Sequence, residues 1–306
     1  MFRTIAVAMA ATLLVHIVIY RWRMARTRAA NGARLPLGPD GIVIGAEPID
    51  LRASKSHAAL LIHGFGDTPQ TLRELATFLH DAHGWTVRAP LLPGHGRSLA
   101  AFDAHGSAAW REAVHREYAA LRAQYDTVVL VGLSMGGALA TIEAARDAQL
   151  TALVLLAPYL TPPARAERLA PLAGIVNLLM PYLGGGDREA SIFDPDARGR
   201  ALGSVAAPPK RVRDLVTIAH EARFAAAEVR APTLLMHSRT DYRIPAPLAR
   251  RHPSLFSGAA VVEQQWLDGC GHVITVDYCR ASVWAATAAW LERFAGSPMR
   301  DSRRVS

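Results

Sequence analysis

The chain has 306 residues, 51% of them hydrophobic, a formal net charge of +8 and two cysteines. That is ample apolar material for one α/β core with an extension, and two cysteines exclude a disulfide framework. The excess charge is mostly arginine, gathered behind the first apolar run and in the tail Arg300 to Arg304, while the rest is scattered without a binding motif, which excludes nucleic acid as a partner.

Thr4 to Tyr20 is almost wholly apolar, and Arg21-Trp-Arg-Met-Ala-Arg-Thr-Arg28 follows at once. Seventeen residues lie at the short end of the range for a spanning helix, so a signal-peptide core and a buried helix are the alternatives. A signal peptide carries its positive charge ahead of the apolar core. Here Arg3 precedes it and four arginines follow, with no small-x-small cleavage site nearby, so the reading is an uncleaved anchor with its basic side and the remaining chain in the cytoplasm. Anionic lipid is the simplest partner for the arginines.

Downstream, Gly41 to Ala53 supplies edge strands, and Ala58 to Ile62 reads as a buried strand running into His63-Gly-Phe65-Gly-Asp-Thr68-Pro69. Thr68 followed by Pro69 is an N-cap with proline at the first helical position, and the helix runs to about His80. His63 is read as a brace for this loop. Further strands are expected at Trp85 to Ala89, Thr127 to Val131, Ala152 to Leu156, Thr233 to His237 and Val261 to Leu267, with helices at Ser107 to Arg122, Pro245 to about Phe256 and Ala281 to Phe294. Apolar strands alternating with helices predict an α/β fold with a mostly parallel sheet.

Gly132-Leu-Ser134-Met-Gly136 sits between the strand ending at Val131 and a helix over roughly Met135 to Ala148. A sharp strand-to-helix turn thrusts a serine clear of its own backbone, where a neighbouring base can activate it. Small residues flank it because the turn is crowded, and Gly137 lets the helix approach the next strand. The motif alone is common, and its flanking strand and helix carry the reading.

In such a fold an acid and then a histidine follow the serine. Asp241 stands in Arg239-Thr-Asp-Tyr-Arg-Ile-Pro245, just past a short apolar run, and His272 in Asp268-Gly-Cys-Gly-His272-Val, just past the strand expected at Val261 to Leu267. His272 is the expected base for Ser134, and Asp241 the residue that orients it. Asp268 and Asp277 lie on the histidine's own loop and are read as capping residues. The backbone N–H groups of Met135 and Phe65 are the expected oxyanion donors, the first at a helix N-terminus and the second on the glycine-rich loop. No metal-ligand spacing appears among the histidines, and no cofactor is expected. Cys270 and Cys279 bracket His272; a bridge is conceivable, but two reduced, packed thiols are the expectation.

More than seventy residues separate Pro158 from Thr233, far more than one crossover helix needs. The reading is a helical cap over residues 159–229, with the apolar Leu169 to Leu183 covering the nucleophile and Gly184-Gly-Gly186 as its hinge. The expected organisation is residues 1–35 as anchor and basic juxtamembrane segment, 36–158 and 230–297 as core, and 298–306 as a basic tail.

His63-Gly-Phe-Gly66, Pro93-Gly-His-Gly96, Gly132-Leu-Ser-Met-Gly-Gly137, Asp241 before Ile-Pro, and Gly271-His-Val-Ile-Thr275 resemble the α/β-hydrolase superfamily, over about Ala58 to Phe294. Within it the set is similar to small bacterial carboxylesterases and monoacylglycerol lipases. The resemblance implies Ser134, Asp241 and His272 as triad, Phe65 and Met135 as oxyanion donors, and cleavage of a small-molecule ester or lipid. The cap and the N-terminus depart from the pattern, and those regions set substrate and location. Acyl-thioester hydrolysis or acyl transfer uses the same triad and is the alternative, followed by a membrane-tethered, non-catalytic binding protein.

Overall fold

The computed structural model describes residues 2–184 and 188–298. In chain order the elements are α1 (Phe2–Arg34), β1 (Ile49–Leu51), β2 (His57–Ile62), α2 (Arg73–His83), β3 (Thr86–Ala89), α3 (Leu99–Ala104), α4 (Ser107–Arg122), β4 (Thr127–Leu133), α5 (Met135–Ala144) and β5 (Leu153–Leu156). There follow α6 (Ala164–Leu169), α7 (Ala173–Leu179), β6 (Leu183–Gly184), α8 (Pro195–Arg200), β7 (Ala206–Ala207), α9 (Pro209–Ala225), β8 (Thr233–Ser238), α10 (Ala246–Ala249), β9 (Val262–Leu267) and α11 (Arg280–Ala295).

Seven strands form one sheet in the order β1-β3-β2-β4-β5-β8-β9, parallel throughout except for β1, which runs antiparallel to β3. The central strands read as continuous apolar runs because both faces are covered. Ala58, Leu60 and Ile62 of β2 enter one core with Trp110 of α4 and Leu139 of α5, while Ala59 and Leu61 enter the other with Leu75 of α2 and Leu291 of α11. Thr68 caps the turn as expected, accepting the Gln70 N–H, but a 3-10 turn over Pro69–Leu72 precedes α2. Gly84, in the left-handed region at φ 72°, closes α2.

Some boundaries move. The Gly41 to Ala53 stretch yields only β1, beyond a single Leu37–Val43 bridge. The helix expected from Pro245 to Phe256 is interrupted: α10 spans one turn, and Pro253, which lacks an N–H, begins a separate 3-10 turn. Gly185 and Gly186 of the expected hinge, and Arg300 to Arg304 of the tail, lie outside the described residues.

α1 is 33 residues long, about 50 Å at 1.5 Å per residue. Its apolar part is exposed, and the helix is long and apolar enough to cross a membrane. Its last turns dock on residues 182 and 201–205, and further back the ring of His16 lies 3.0 Å from the carbonyl oxygen of Leu178 in α7. Leu172, Ile175, Leu178 and Leu179 are exposed rather than turned towards the serine, since α7 packs on α9 through its other side.

Candidate active site

Ser134 lies between β4 and α5 with φ 54° and ψ −116°, a backbone conformation that costs energy for a residue with a Cβ. The surroundings over-determine it. Its N–H donates to the Leu156 carbonyl at 2.9 Å, and its carbonyl accepts the N–H groups of Gly137 and Tyr159 at 2.9 and 3.0 Å. The glycines are required by close approach: a Cβ on Gly132 would collide with the Gly136 carbonyl, and one on Gly136 with the Ile62 carbonyl of the adjacent strand. Helix and sheet are thus pressed together at the point where the serine turns outward.

β8 and β9 lie side by side on one flank of β5, so the loops at their C-terminal ends converge beside Ser134. His272 Nε2 is 2.8 Å from Ser134 Oγ, and His272 Nδ1 is 2.7 Å from Asp241 Oδ2. The other carboxylate oxygen of Asp241 accepts the backbone N–H groups of Arg243 at 2.8 Å and Ile244 at 3.0 Å. Burial of Asp241 opposes its charge, but His272 and these N–H donors outweigh that and hold its carboxyl below the usual carboxylate range. With Nδ1–H donated to a carboxylate, Nε2 carries a lone pair facing the serine hydroxyl.

The rival acids take other roles. Asp268 is exposed and pairs with Arg239 at 3.3 Å. Asp277 is fully buried, and its oxygens accept the backbone N–H groups of Gly271, Phe193, Asp194 and Tyr278 at 2.7 to 2.9 Å. It thereby ties the His272 loop to the segment before α8, a partnership across more than eighty residues that no local pattern announces. The two cysteines differ from expectation: Cys270 and Cys279 form a disulfide, their Cα atoms 5.8 Å apart because the loop carrying His272 folds back between them.

The glycine-rich loop after β2 is braced from behind as expected. His63 Nδ1 donates to the Gly64 carbonyl at 2.9 Å, and Nε2 accepts the Leu92 N–H at 3.1 Å, which fixes the tautomer. Burial drives the His63 pKa down to about 4, so the ring is neutral. Phe65 lies over Phe102 and Trp110, and Gly64 sits against the Ser134 side chain. Met135 begins α5 directly after the serine, so the Phe65 and Met135 segments flank Ser134 from two sides.

Above Ser134 and His272 opens a cavity of about 460 Å³ with a mostly apolar wall. Leu183, Ala206 and Leu215 line it from the segment between β5 and β8, and Tyr159, Asp67 and Arg243 supply polar groups. The motifs did not point to these last three residues. Burial pushes the Asp67 carboxyl up to about 6, although the Thr71 hydroxyl donates to it. The site can therefore hold a nucleophile, a base, an acid that orients the base, and an apolar chain.

The Alpha/beta hydrolase family matches residues 59–286. The thermostable monoacylglycerol lipase of Bacillus sp. (strain H-257) is 25% identical over 257 residues, covering 83% of this chain and 98% of that protein. Among solved structures, one from a study of LipS and LipT, two metagenome-derived lipolytic enzymes, superposes with a TM-score of 0.71 at 26% identity, over 82% of this chain and 99% of that one. The monoacylglycerol lipase of Paleococcus ferrophilus superposes with a TM-score of 0.66 at 23% identity, over 80% and 97%. Sheet order, strained serine turn and a family match over three quarters of the chain agree, and the chain belongs to the alpha/beta hydrolase family.

Proposed function

We propose that this protein is a carboxylic ester hydrolase of the carboxylesterase or monoacylglycerol lipase type. The observation that carries the reading is the line Ser134 Oγ, His272 Nε2, His272 Nδ1, Asp241 Oδ2, with separations of 2.8 and 2.7 Å at its two hydrogen bonds. His272 takes the Ser134 proton as Oγ attacks the ester carbonyl, Asp241 stabilises the imidazolium, and the N–H groups of Phe65 and Met135 receive the charge that develops on the carbonyl oxygen. His272 then passes its proton to the departing alcohol, leaving an acyl group on Ser134. Water, deprotonated by His272, attacks that acyl-enzyme and releases the acid, returning the proton to Ser134.

Residues 159–229 act as the cap. Its apolar cavity wall suits an acyl chain, and the contact of α7, with its exposed apolar side chains, with the apolar helix α1 supports a mouth that opens near a lipid surface. α1 anchors the protein in the membrane. The four arginines after its apolar run favour a catalytic domain on the cytoplasmic side. A second reading, in which the domain faces an oxidising compartment, is carried by the Cys270–Cys279 bridge, since such bonds are rare in the cytosol. Digestion of the catalytic domain by a protease added outside intact spheroplasts, compared with lysed ones, separates the two.

The activity is tested by hydrolysis of nitrophenyl esters from acetyl to palmitoyl, and of monoacylglycerols, with Ser134→Ala alongside. Turnover that disappears in Ser134→Ala supports the reading, and the preferred chain length sizes the pocket. Absence of turnover on every ester, with turnover on acyl thioesters, moves the assignment to the thioesterase alternative.

A further inference from the structure

The loop that carries Phe65 has a second support besides His63. The Gly66 carbonyl accepts the N–H of Ser204 at 2.7 Å. Ser204 belongs to residues 201–205, an irregular strap between α8 and β7 whose Ala201, Gly203 and Ser204 line the cavity above Ser134. An irregular strap has no ladder to satisfy its backbone, so its polar groups need outside partners.

Those partners come from the end of α1. The Arg34 guanidinium donates to the carbonyls of Gly203, at 2.6 Å, and Ala201. Asn31, buried at 3% exposure, accepts the Val205 N–H on its side-chain oxygen at 3.2 Å. The planar fork of an arginine holds two carbonyls at once, which a lysine ammonium on a flexible stem does not do as rigidly. Leu202 packs with Leu35, Val43 and Ala46, and Arg28 donates to the Tyr182 hydroxyl, so the docking extends over two turns of the helix.

We propose that Asn31 and Arg34 are positioning residues for the glycine-rich loop: they hold the 201–205 strap, and the strap holds Gly66 and with it the Phe65 N–H. This rests on the reading of Phe65 as an oxyanion donor. α1 continues unbroken from its apolar part to Arg34, with no linker between. The helix that meets the membrane is thus in mechanical contact with the site, and the cavity wall is assembled partly from a segment outside the α/β core.

The test uses the full-length chain in detergent, with Arg34→Met, Arg34→Lys, Asn31→Ala and, as a variant that leaves α1 intact, Ser204→Pro, which removes the N–H given to Gly66. Active sites are titrated with a nitrophenyl phosphonate, kcat and KM for nitrophenyl butyrate are expressed per titrated site, and the melting temperature is recorded. A donor displaced by a fraction of an ångström loses most in the transition state. The expected result is a fall in kcat per site of about tenfold in Arg34→Met, Asn31→Ala and Ser204→Pro, with KM within about twofold and Arg34→Lys in between. Folded variants with unchanged kcat per site would overturn the proposal. So would a loss confined to the number of titratable sites, because that is what simple destabilisation produces. Should the wild type neither turn over nor take up phosphonate, the esterase reading itself fails; should it do both while the variants match it, only the positioning role fails.

Discussion

Asp241→Asn is nearly isosteric, and the structure dictates which way the amide must face. Oδ1 of Asp241 accepts two backbone N–H groups, from Arg243 and Ile244, so the amide oxygen of an asparagine has to stay there. Its NH2 group then points at His272 Nδ1, 2.7 Å away in the wild type, and two donors would face each other. The imidazole resolves the clash by moving its proton to Nε2, which lies 2.8 Å from Ser134 Oγ and there must accept a proton. The variant therefore folds with the base in the wrong tautomer and without the carboxylate that stabilises the imidazolium. A loss of about 10⁴ in kcat is expected, equivalent to about 5.5 kcal/mol of transition-state stabilisation. Steady-state hydrolysis of nitrophenyl butyrate at pH 8, normalised to folded protein by circular dichroism, measures it. A folded Asp241→Asn variant within about tenfold of wild type would refute the tautomer argument and send the search to another acid.

Four further outcomes are expected. Gly136→Ala should cost at least about 3 kcal/mol or prevent folding, because the new methyl meets the Ile62 carbonyl in a sheet that cannot yield; a wild-type urea midpoint would contradict this. Reduction of the Cys270–Cys279 bridge frees a short loop and should lower stability by about 2–3 kcal/mol, seen as a shifted urea midpoint with dithiothreitol; equal midpoints would contradict it. Burial holds the His63 pKa at about 4, below its ordinary 6.5, so the unfolded chain binds the proton first and stability falls as pH drops between those values, by about 3 kcal/mol for this residue. Buried His237, down to about 3, and His252, down to about 4, act in the same direction, whereas Asp67, raised to about 6, opposes them; a urea midpoint that rises from pH 6.5 to 4.5 would contradict the balance. Removal of residues 1–28 should release the protein from membranes in a flotation assay while retaining activity, since Asn31 and Arg34 remain.

The parts of this site legible in the sequence are those whose cause is local. Ser134 announces itself because its turn needs glycines at 132 and 136, and Asp241 because it follows the fully buried strand β8; His272 follows β9, an edge strand that carries Glu263, Gln264 and Gln265, and is legible from the chain order serine, acid, histidine. Thr68 and Pro69 mark a helix start for reasons contained in three residues. What stayed hidden depends on distant partners. Arg34 meets Gly203 across 169 residues, Asp277 meets Phe193 across 84, and nothing near either residue encodes the meeting. A count of two cysteines does not encode the bridge, which follows from how the His272 loop folds back. Hydrophobicity marks Leu169 to Leu183 as a segment that covers something but does not say which surface a helix will face, and packing of α7 on α9 turns several of its side chains outward.

The central claim is that Ser134 is a nucleophile activated by His272. Intact-mass measurement after exposure to a nitrophenyl phosphonate, followed by peptide mapping, tests it most directly. The account predicts one adduct per chain, on Ser134, absent in Ser134→Ala and formed at least about a hundredfold more slowly in His272→Ala. An adduct on another residue, or an undiminished rate in His272→Ala, would contradict it.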